Sequence, residues 1–183
     1  MSLHKILLLL PLAGLISCAS NPIGSAPVGQ TFEAGTIRLG GDMGYSSNGT
    51  GTMNGDAVHL DGNAGFFVTD LIEVGGALNI EDVNIKGGAD IEAVSFGLYG
   101  RAYNSASGPY RTFAELGMHA GTVESAFAEA DLTAISIAVG MLQFVADNVA
   151  VELALEQSFY SFDDSAAVDG NGLALNLGVS MYF

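Results

Sequence analysis

The chain has 183 residues, of which 49% are hydrophobic, and a formal net charge of −15 from 20 acidic and 5 basic side chains. The acidic balance argues against a nucleic-acid partner, because phosphates are bound by surfaces rich in Lys and Arg. The single Cys excludes a disulfide scaffold. After residue 17 no apolar run reaches the roughly 18 residues that a spanning helix needs. The apolar residues therefore have to be hidden from water in another way.

The N-terminal residues predict export from the cytoplasm. A short basic start precedes the apolar run Ile6–Ile16, and small residues follow, as in a secretory signal peptide. Leu15–Cys18 resembles the bacterial lipoprotein box, in which the Cys is lipidated, but the same small residues also suit an ordinary cleavage site. The sequence thus predicts a signal peptide at 1–17 and a Gly/Pro/Ser-rich tether at 18–31, with lipidation of Cys18 as one of two alternatives.

Beyond residue 35, apolar residues alternate with small or polar ones, which is typical of a strand with one apolar face. The last strand shows this most clearly, since Leu175, Leu177, Val179, Met181 and Phe183 are all apolar. Eight such segments follow one another, with apolar residues beginning at Ile37, Val58, Ile72, Val94, Ala114, Ile135, Val149 and Leu173.

The connections between these segments are predicted to alternate in length. Phe67–Val74 and Phe144–Val151 share the pattern F-V-x-D-x-[IV]-x-V, and each spans a tight turn that contains Asp. A third short turn fits 104–109. Longer hydrophilic connections are predicted at 46–56, 82–90, 124–131 and 161–171. Short turns on the periplasmic side, longer outer loops and periplasmic N- and C-termini are typical of a membrane barrel.

The charged residues indicate which face of these strands points inward. In hydrocarbon a closed barrel is the only β-structure that pairs every backbone polar group, so the apolar face meets lipid and the polar face lines the lumen. An Arg facing lipid at mid-depth would cost about 2–4 kcal/mol, which an ion-pair network inside the barrel avoids. The predicted lumen network consists of Arg38, Asp42, Asp61, Glu73, Tyr99, Arg101, Arg111, Glu115, His119, Glu152 and Glu156.

Aromatic residues are concentrated near the predicted periplasmic rim, where they resemble an interfacial girdle. They are Phe66, Phe67, Tyr103, Tyr110, Phe144, Tyr182 and Phe183.

Two features resemble a known family. The terminal Phe183 at the end of an alternating apolar strand resembles the assembly signal read by the outer-membrane insertion machinery, with Leu175, Leu177, Val179 and Met181 as its other apolar positions. Gly65–Val74 and Gln143–Glu152 resemble hairpins of the OmpA/OmpX-type outer-membrane β-barrel domain family.

The resemblance covers residues 32–183 and implies an all-β, eight-stranded antiparallel up-and-down transmembrane barrel in the cell outer membrane of a diderm bacterium. Its implied partners are outer-membrane lipids and the insertion machinery. It implies no activity, because this family contains structural, adhesive and enzymatic members.

A structural or surface-interaction role is the predicted function. A narrow cation-preferring pore is an alternative, since carboxylates outnumber Arg on the lumen face. A lipid-modifying enzyme is another, although no H-x-S or comparable Ser–His pairing occurs in the sequence. No cofactor is expected, because zinc-ligand spacing, a CxxC and a phosphate-binding loop are absent from the sequence. The acidic loop Asp163–Asn171 lacks EF-hand spacing, so divalent cations there are only an option beside a solvated loop.

Overall fold

The computed structural model describes residues 31–50, 53–85, 91–125, 129–163 and 170–183. The predicted signal peptide, Cys18 and almost all of the predicted tether lie outside the described residues, as does the 164–169 part of the acidic loop.

Eight antiparallel strands form one closed barrel, and each pairs with its neighbours in sequence. Pairing between the first and last strands closes the barrel. This confirms the predicted eight-stranded up-and-down barrel. The strands are β1 (Ile37–Thr50), β2 (Met53–Phe67), β3 (Ile72–Ile85), β4 (Ile91–Tyr103), β5 (Tyr110–Ser125), β6 (Glu129–Ala146), β7 (Val149–Phe162) and β8 (Gly170–Tyr182). Within the described ranges, no helix is both long and apolar enough to cross a membrane.

The alternation of side chains places the large apolar residues on the outside of the barrel. In β6, Ile137 and Val139 are exposed, whereas Ser136 and Ala138, which alternate with them, are buried. The same alternation in β8 leaves Leu175 and Leu177 exposed and Ala174 and Asn176 buried. A barrel dissolved in water would have the opposite arrangement, with its apolar side chains inside.

The strands extend further than polarity alone predicted. β1 and β2 pair as far as Thr50 and Met53, so the predicted loop at 46–56 is mostly a strand ladder. The other three predicted loops also lie partly within strands, because β3 extends to Ile85, β5 to Ser125 and β7 to Phe162. The reason is that backbone groups keep pairing across strands after the side chains have become polar.

Both chain ends meet at one end of the barrel, which we call the terminal end. Ile37 and Phe183 exchange two backbone hydrogen bonds there, each of 2.9 Å. The turns at 68–71, 104–109 and 147–148 lie at the same end.

Two glycines in neighbouring strands allow large side chains to fill the lumen. A Cβ atom at Gly65 would overlap the Glu73 carboxylate, and one at Gly75 would overlap the Tyr99 ring. The absence of side chains at these positions therefore makes room for Glu73 and Tyr99 inside the barrel.

Replacing Gly65 with Ala should lower the free energy of unfolding by about 1–3 kcal/mol, because the added methyl group overpacks the lumen. Gly62→Ala is the matched control, since no heavy atom lies within 4 Å of a Cβ placed there. It should change stability by less than about 0.5 kcal/mol. Urea unfolding of both refolded variants measures the difference, and equal losses would contradict the close packing at Gly65.

Candidate functional site in the barrel lumen

Side chains fill the lumen in three successive groups from the terminal end. We call them the aromatic layer (Phe32, Phe67, Tyr103, Phe144 and Tyr182, with Arg111), the ion-pair layer (Arg38, Glu73, Tyr99, Arg101, Glu115 and Glu152) and the acidic layer (Asp42, His59, Asp61, Asn63, Glu156 and Asn176).

Phe32 forms the centre of the aromatic layer although it precedes β1. Its ring lies 4.4 Å from that of Phe67 and 4.9 Å from those of Tyr103 and Tyr182, centroid to centroid, and it is completely buried. Its backbone N–H donates to the carbonyl of Ala106, at 2.8 Å. The chain before β1 therefore turns into the lumen and closes the terminal end.

The predicted aromatic girdle is only partly correct. Phe66, Tyr110 and Phe183 are exposed on the outside, as a girdle requires. The remaining four are buried inside the barrel: Phe67, Tyr103, Phe144 and Tyr182. Consecutive residues of a strand point to opposite faces, so Phe66 and Phe67 cannot both meet lipid.

The ion-pair layer joins residues from five strands. Arg38 contacts Glu73 at 2.9 Å and Glu152 at 3.4 Å. Arg101 contacts the other oxygen of Glu152 at 2.8 Å and Glu115 at 2.6 Å. Glu152 thus bridges the two guanidinium groups at the centre of the lumen.

Tyrosine hydroxyls connect this layer to the aromatic layer. Tyr99 and Tyr103 each donate to a different oxygen of Glu73, both at 2.6 Å, and Tyr182 donates to Glu152 at 3.3 Å. Buried charges are tolerated where they are both paired and hydrogen-bonded, and the Arg38–Glu73 pair meets both conditions.

Arg111 was predicted in the lumen network, and the structure places it in the aromatic layer. Its guanidinium carbon lies 3.7 Å from the centroid of the Phe32 ring and 4.7 Å from that of Phe144. These distances are typical of cation–π contacts.

The acidic layer brings together residues that lie on adjacent strands. Asp42 and Asp61 stand directly opposite each other across β1 and β2. His59 lies with its Nε2 atom 3.8 Å from Asp61 Oδ2 and 3.1 Å from Asn176 Oδ1. Asn176 in turn donates to Glu156 at 3.0 Å. A cavity of about 90 Å³, large enough for several water molecules, is lined by this group and by side chains of the ion-pair layer.

His119 lies apart from these groups and forms a pair that the sequence did not reveal. Its Nε2 atom is 3.3 Å from the hydroxyl of Ser136 on the neighbouring strand β6. A Ser–His contact is one element of a nucleophilic site. Ser136 is only 3% exposed and faces the lumen, so a substrate would have to enter the barrel to reach it.

Phe32 and His59 are among the lumen side chains that the predicted network lacks. Phe32 precedes the alternating segments, so no periodicity marks it. His59 has the same parity as Asp61 in β2, and that parity is a signal that places it in the lumen.

Comparison of the whole fold finds similar solved structures. Neisserial surface protein A has a TM-score of 0.69 and 12% identity, covering 81% of this chain and 99% of its own. OprG from Pseudomonas aeruginosa has a TM-score of 0.58 and 15% identity, covering 85% and 99%. Ail, the attachment invasion locus protein of Yersinia pestis, has a TM-score of 0.52 and 12% identity, covering 81% and 99%. No family model matches the sequence, and no curated protein matches it. The chain has the fold of the eight-stranded outer-membrane barrels.

Replacing Glu152 with Gln should lower the free energy of unfolding by about 3–5 kcal/mol, because it removes the charge that two buried guanidinium groups share. Glu124→Gln is the control, since Glu124 is exposed, and it should change stability by less than about 0.5 kcal/mol. Denaturant unfolding in detergent micelles measures both effects. If the two variants are equally stable, the ion-pair layer does not stabilise the barrel.

Proposed function

We propose that this chain is a small outer-membrane β-barrel of a diderm bacterium, with a structural or surface-interaction role and a lumen that does not conduct ions. The observation that carries the proposal is the combination of an apolar exterior with a lumen filled by buried ion pairs and aromatic rings. A structural role needs only the outer surface and the loops, and both remain available when the lumen is filled.

The apolar exterior supports a location in a bilayer. Leu98, Leu116 and Ile137 lie on adjacent strands and expose more than half of their surface. A large exposed apolar face of this kind marks a surface that contacts a membrane or another protein. The closed ladder leaves no strand edge, which meets the requirement that hydrocarbon places on backbone groups. The fold similarity to outer-membrane barrels agrees with this location.

The proposed orientation has both termini in the periplasm. The terminal end carries the turn at 147–148, and turns of this length are typical of the periplasmic side. A lipid on Cys18 would then sit in the inner leaflet of the same membrane. The alternating face of β8, ending at Phe183, is the proposed contact with the insertion machinery.

A narrow cation-preferring pore is the second candidate, and the acidic layer favours it. Asp42, Asp61 and Glu156 contribute carboxylates to the cavity, and its lining as a whole contains six carboxylates against two guanidinium groups, those of Arg38 and Arg101. The ion-pair layer forms part of the wall of this cavity, and the aromatic layer lies between the cavity and the terminal end. A conducting path would therefore require both of those layers to open.

Conductance in planar bilayers separates the two candidates. The unaltered protein should be silent at all voltages, because Phe32 and the Arg38–Glu73–Glu152 contacts block the lumen. The double variant Phe32→Ala, Arg38→Ala removes the central ring and one bridging cation, and it should show small cation-selective steps if it retains barrel circular dichroism. Regular cation-selective steps from the unaltered protein would replace the structural proposal with the pore.

Placing a charge on the outer face tests the membrane location. Ile137→Arg, near the middle of β6, should make folding into lipid vesicles less favourable by about 2–4 kcal/mol. Val68→Arg is a matched control, because Val68 is also an exposed apolar residue but lies in a turn at the terminal end, where the cost should be about 0–1 kcal/mol. Equal effects in urea titrations of vesicle-bound protein would contradict a lipid-facing β6.

A further inference from the structure

We propose that Asp42, His59 and Asp61 form a binding site for one divalent transition-metal ion, such as zinc or manganese, inside the barrel. The proposal concerns the acidic layer alone and does not depend on whether the barrel is structural or conducting.

The first support is geometric. One ligand atom from each of the three side chains lies within 4.8 Å of the others. Oxygen and nitrogen ligands bind zinc at about 2.0–2.2 Å, so the donor atoms around a bound ion are about 3–4 Å apart. Small side-chain rotations are enough to close the difference, because all three residues project from adjacent strands that are fixed in register.

The second support is the charge balance of the layer. Asp42 and Asp61 are cross-strand partners, and like charges directly opposite each other destabilise a sheet. Arg38 is four residues from Asp42 along β1, which corresponds to about 13 Å at about 3.3 Å per residue. It is occupied by Glu73 and Glu152. A cation between the two aspartates would turn their repulsion into attraction.

The third support is a pair of buried oxygen atoms without donors. Asp42 Oδ1 and Asn63 Oδ1 are buried and accept no hydrogen bond from any described residue. The Asn63 amide nitrogen donates to the other oxygen of Asp42, at 3.4 Å, so the two side chains lie next to each other. Buried acceptors left unsatisfied are costly. A metal ion, or a water molecule bound to it, would supply the partner that Asp42 Oδ1 lacks.

The fourth support is the space that glycines provide around the ligands. A Cβ atom at Gly44 would overlap the His59 ring, and one at Gly178 would lie 2.8 Å from the Cβ atom of Asp42. Both side chains can therefore occupy the lumen only because residues 44 and 178 lack one. The adjoining cavity has room for the water molecules that complete a coordination sphere.

The donor types select the class of metal. Calcium and magnesium prefer oxygen ligands alone, whereas imidazole suits zinc and other transition metals. Two carboxylates with one imidazole therefore favour zinc or manganese. In the contact with Asn176, the Nε2 atom of His59 donates to an amide oxygen and therefore carries a proton. On binding, Nε2 would give up this proton and its contact with Asn176, and the neutral ring, protonated on Nδ1, would offer the Nε2 lone pair to the metal.

Zinc titration of the full chain tests the proposal. Protein purified from membranes in detergent is stripped with chelator and titrated with Zn²⁺ by calorimetry. The unaltered protein should bind one ion per chain. His59→Gln and Asp42→Asn should each weaken binding by at least about tenfold, which is the lower end of the loss seen when even an outer partner of a metal ligand is removed. His119→Gln is the matched control, because His119 is also a lumen histidine but contacts Ser136, and it should bind as tightly as the unaltered protein.

Thermal unfolding gives a second measurement that does not depend on heats of binding. A metal that binds only the folded state raises the midpoint of unfolding. Zinc should therefore raise it for the unaltered protein and for His119→Gln, but not for His59→Gln. The proposal is overturned if the unaltered protein shows no saturable binding, if His119→Gln loses as much affinity as His59→Gln, or if both ligand variants keep full affinity. If Asp42→Asn does not fold, the comparison of His59→Gln with His119→Gln still decides.

Discussion

The backbone pairing of β1 with β8 is the constraint on which the rest of this structure depends. It closes the sheet, and it fixes eight strands as the circumference. Eight strands leave an interior that is just wide enough for side chains. Every residue on the inner parity must therefore fit against residues from other strands. The glycines at 65 and 75, the bridging position of Glu152 and the depth of Phe32 all follow from this narrow interior.

Charge is distributed unevenly along this narrow interior. Near the terminal end, two guanidinium groups and three carboxylates share contacts of 2.6–3.4 Å, and tyrosine hydroxyls complete their hydrogen bonding. Further along the lumen the carboxylates continue but the arginines do not. In the first region each buried charge has a partner of opposite sign, so no buried charge is left uncompensated. The second has two buried oxygens without a donor among the described residues and a pair of facing aspartates, and this is where the proposed metal ion would bind.

Parity along each strand was sufficient to predict the fold and the inward-facing set of charges, because it is a local property of an extended chain. Which of those charges meet was not predictable, since it depends on the register between strands. The contacts of Glu152 with Arg38 and Arg101 span residues more than 50 positions apart, and no pattern in the sequence connects them. The His119–Ser136 contact was not predictable for the same reason, since it joins two neighbouring strands. The strands extend beyond their predicted ends, because backbone pairing continues where the side chains have already become polar. The pattern F-V-x-D-x-[IV]-x-V, which occurs twice, marks more than two turns, since its equivalent residues Phe67 and Phe144 both pack against Phe32.

The position of Phe32 has a consequence for the order of folding. Its ring is enclosed by Phe67 of β2, Tyr103 of β4, Phe144 of β6 and Tyr182 of β8. These four strands alternate around the whole circumference, so no hairpin or half-formed sheet contains this binding pocket. The full set of ring contacts around Phe32 therefore exists only when the last strand has joined the first. Closure of the barrel and completion of the pocket around Phe32 are therefore one event.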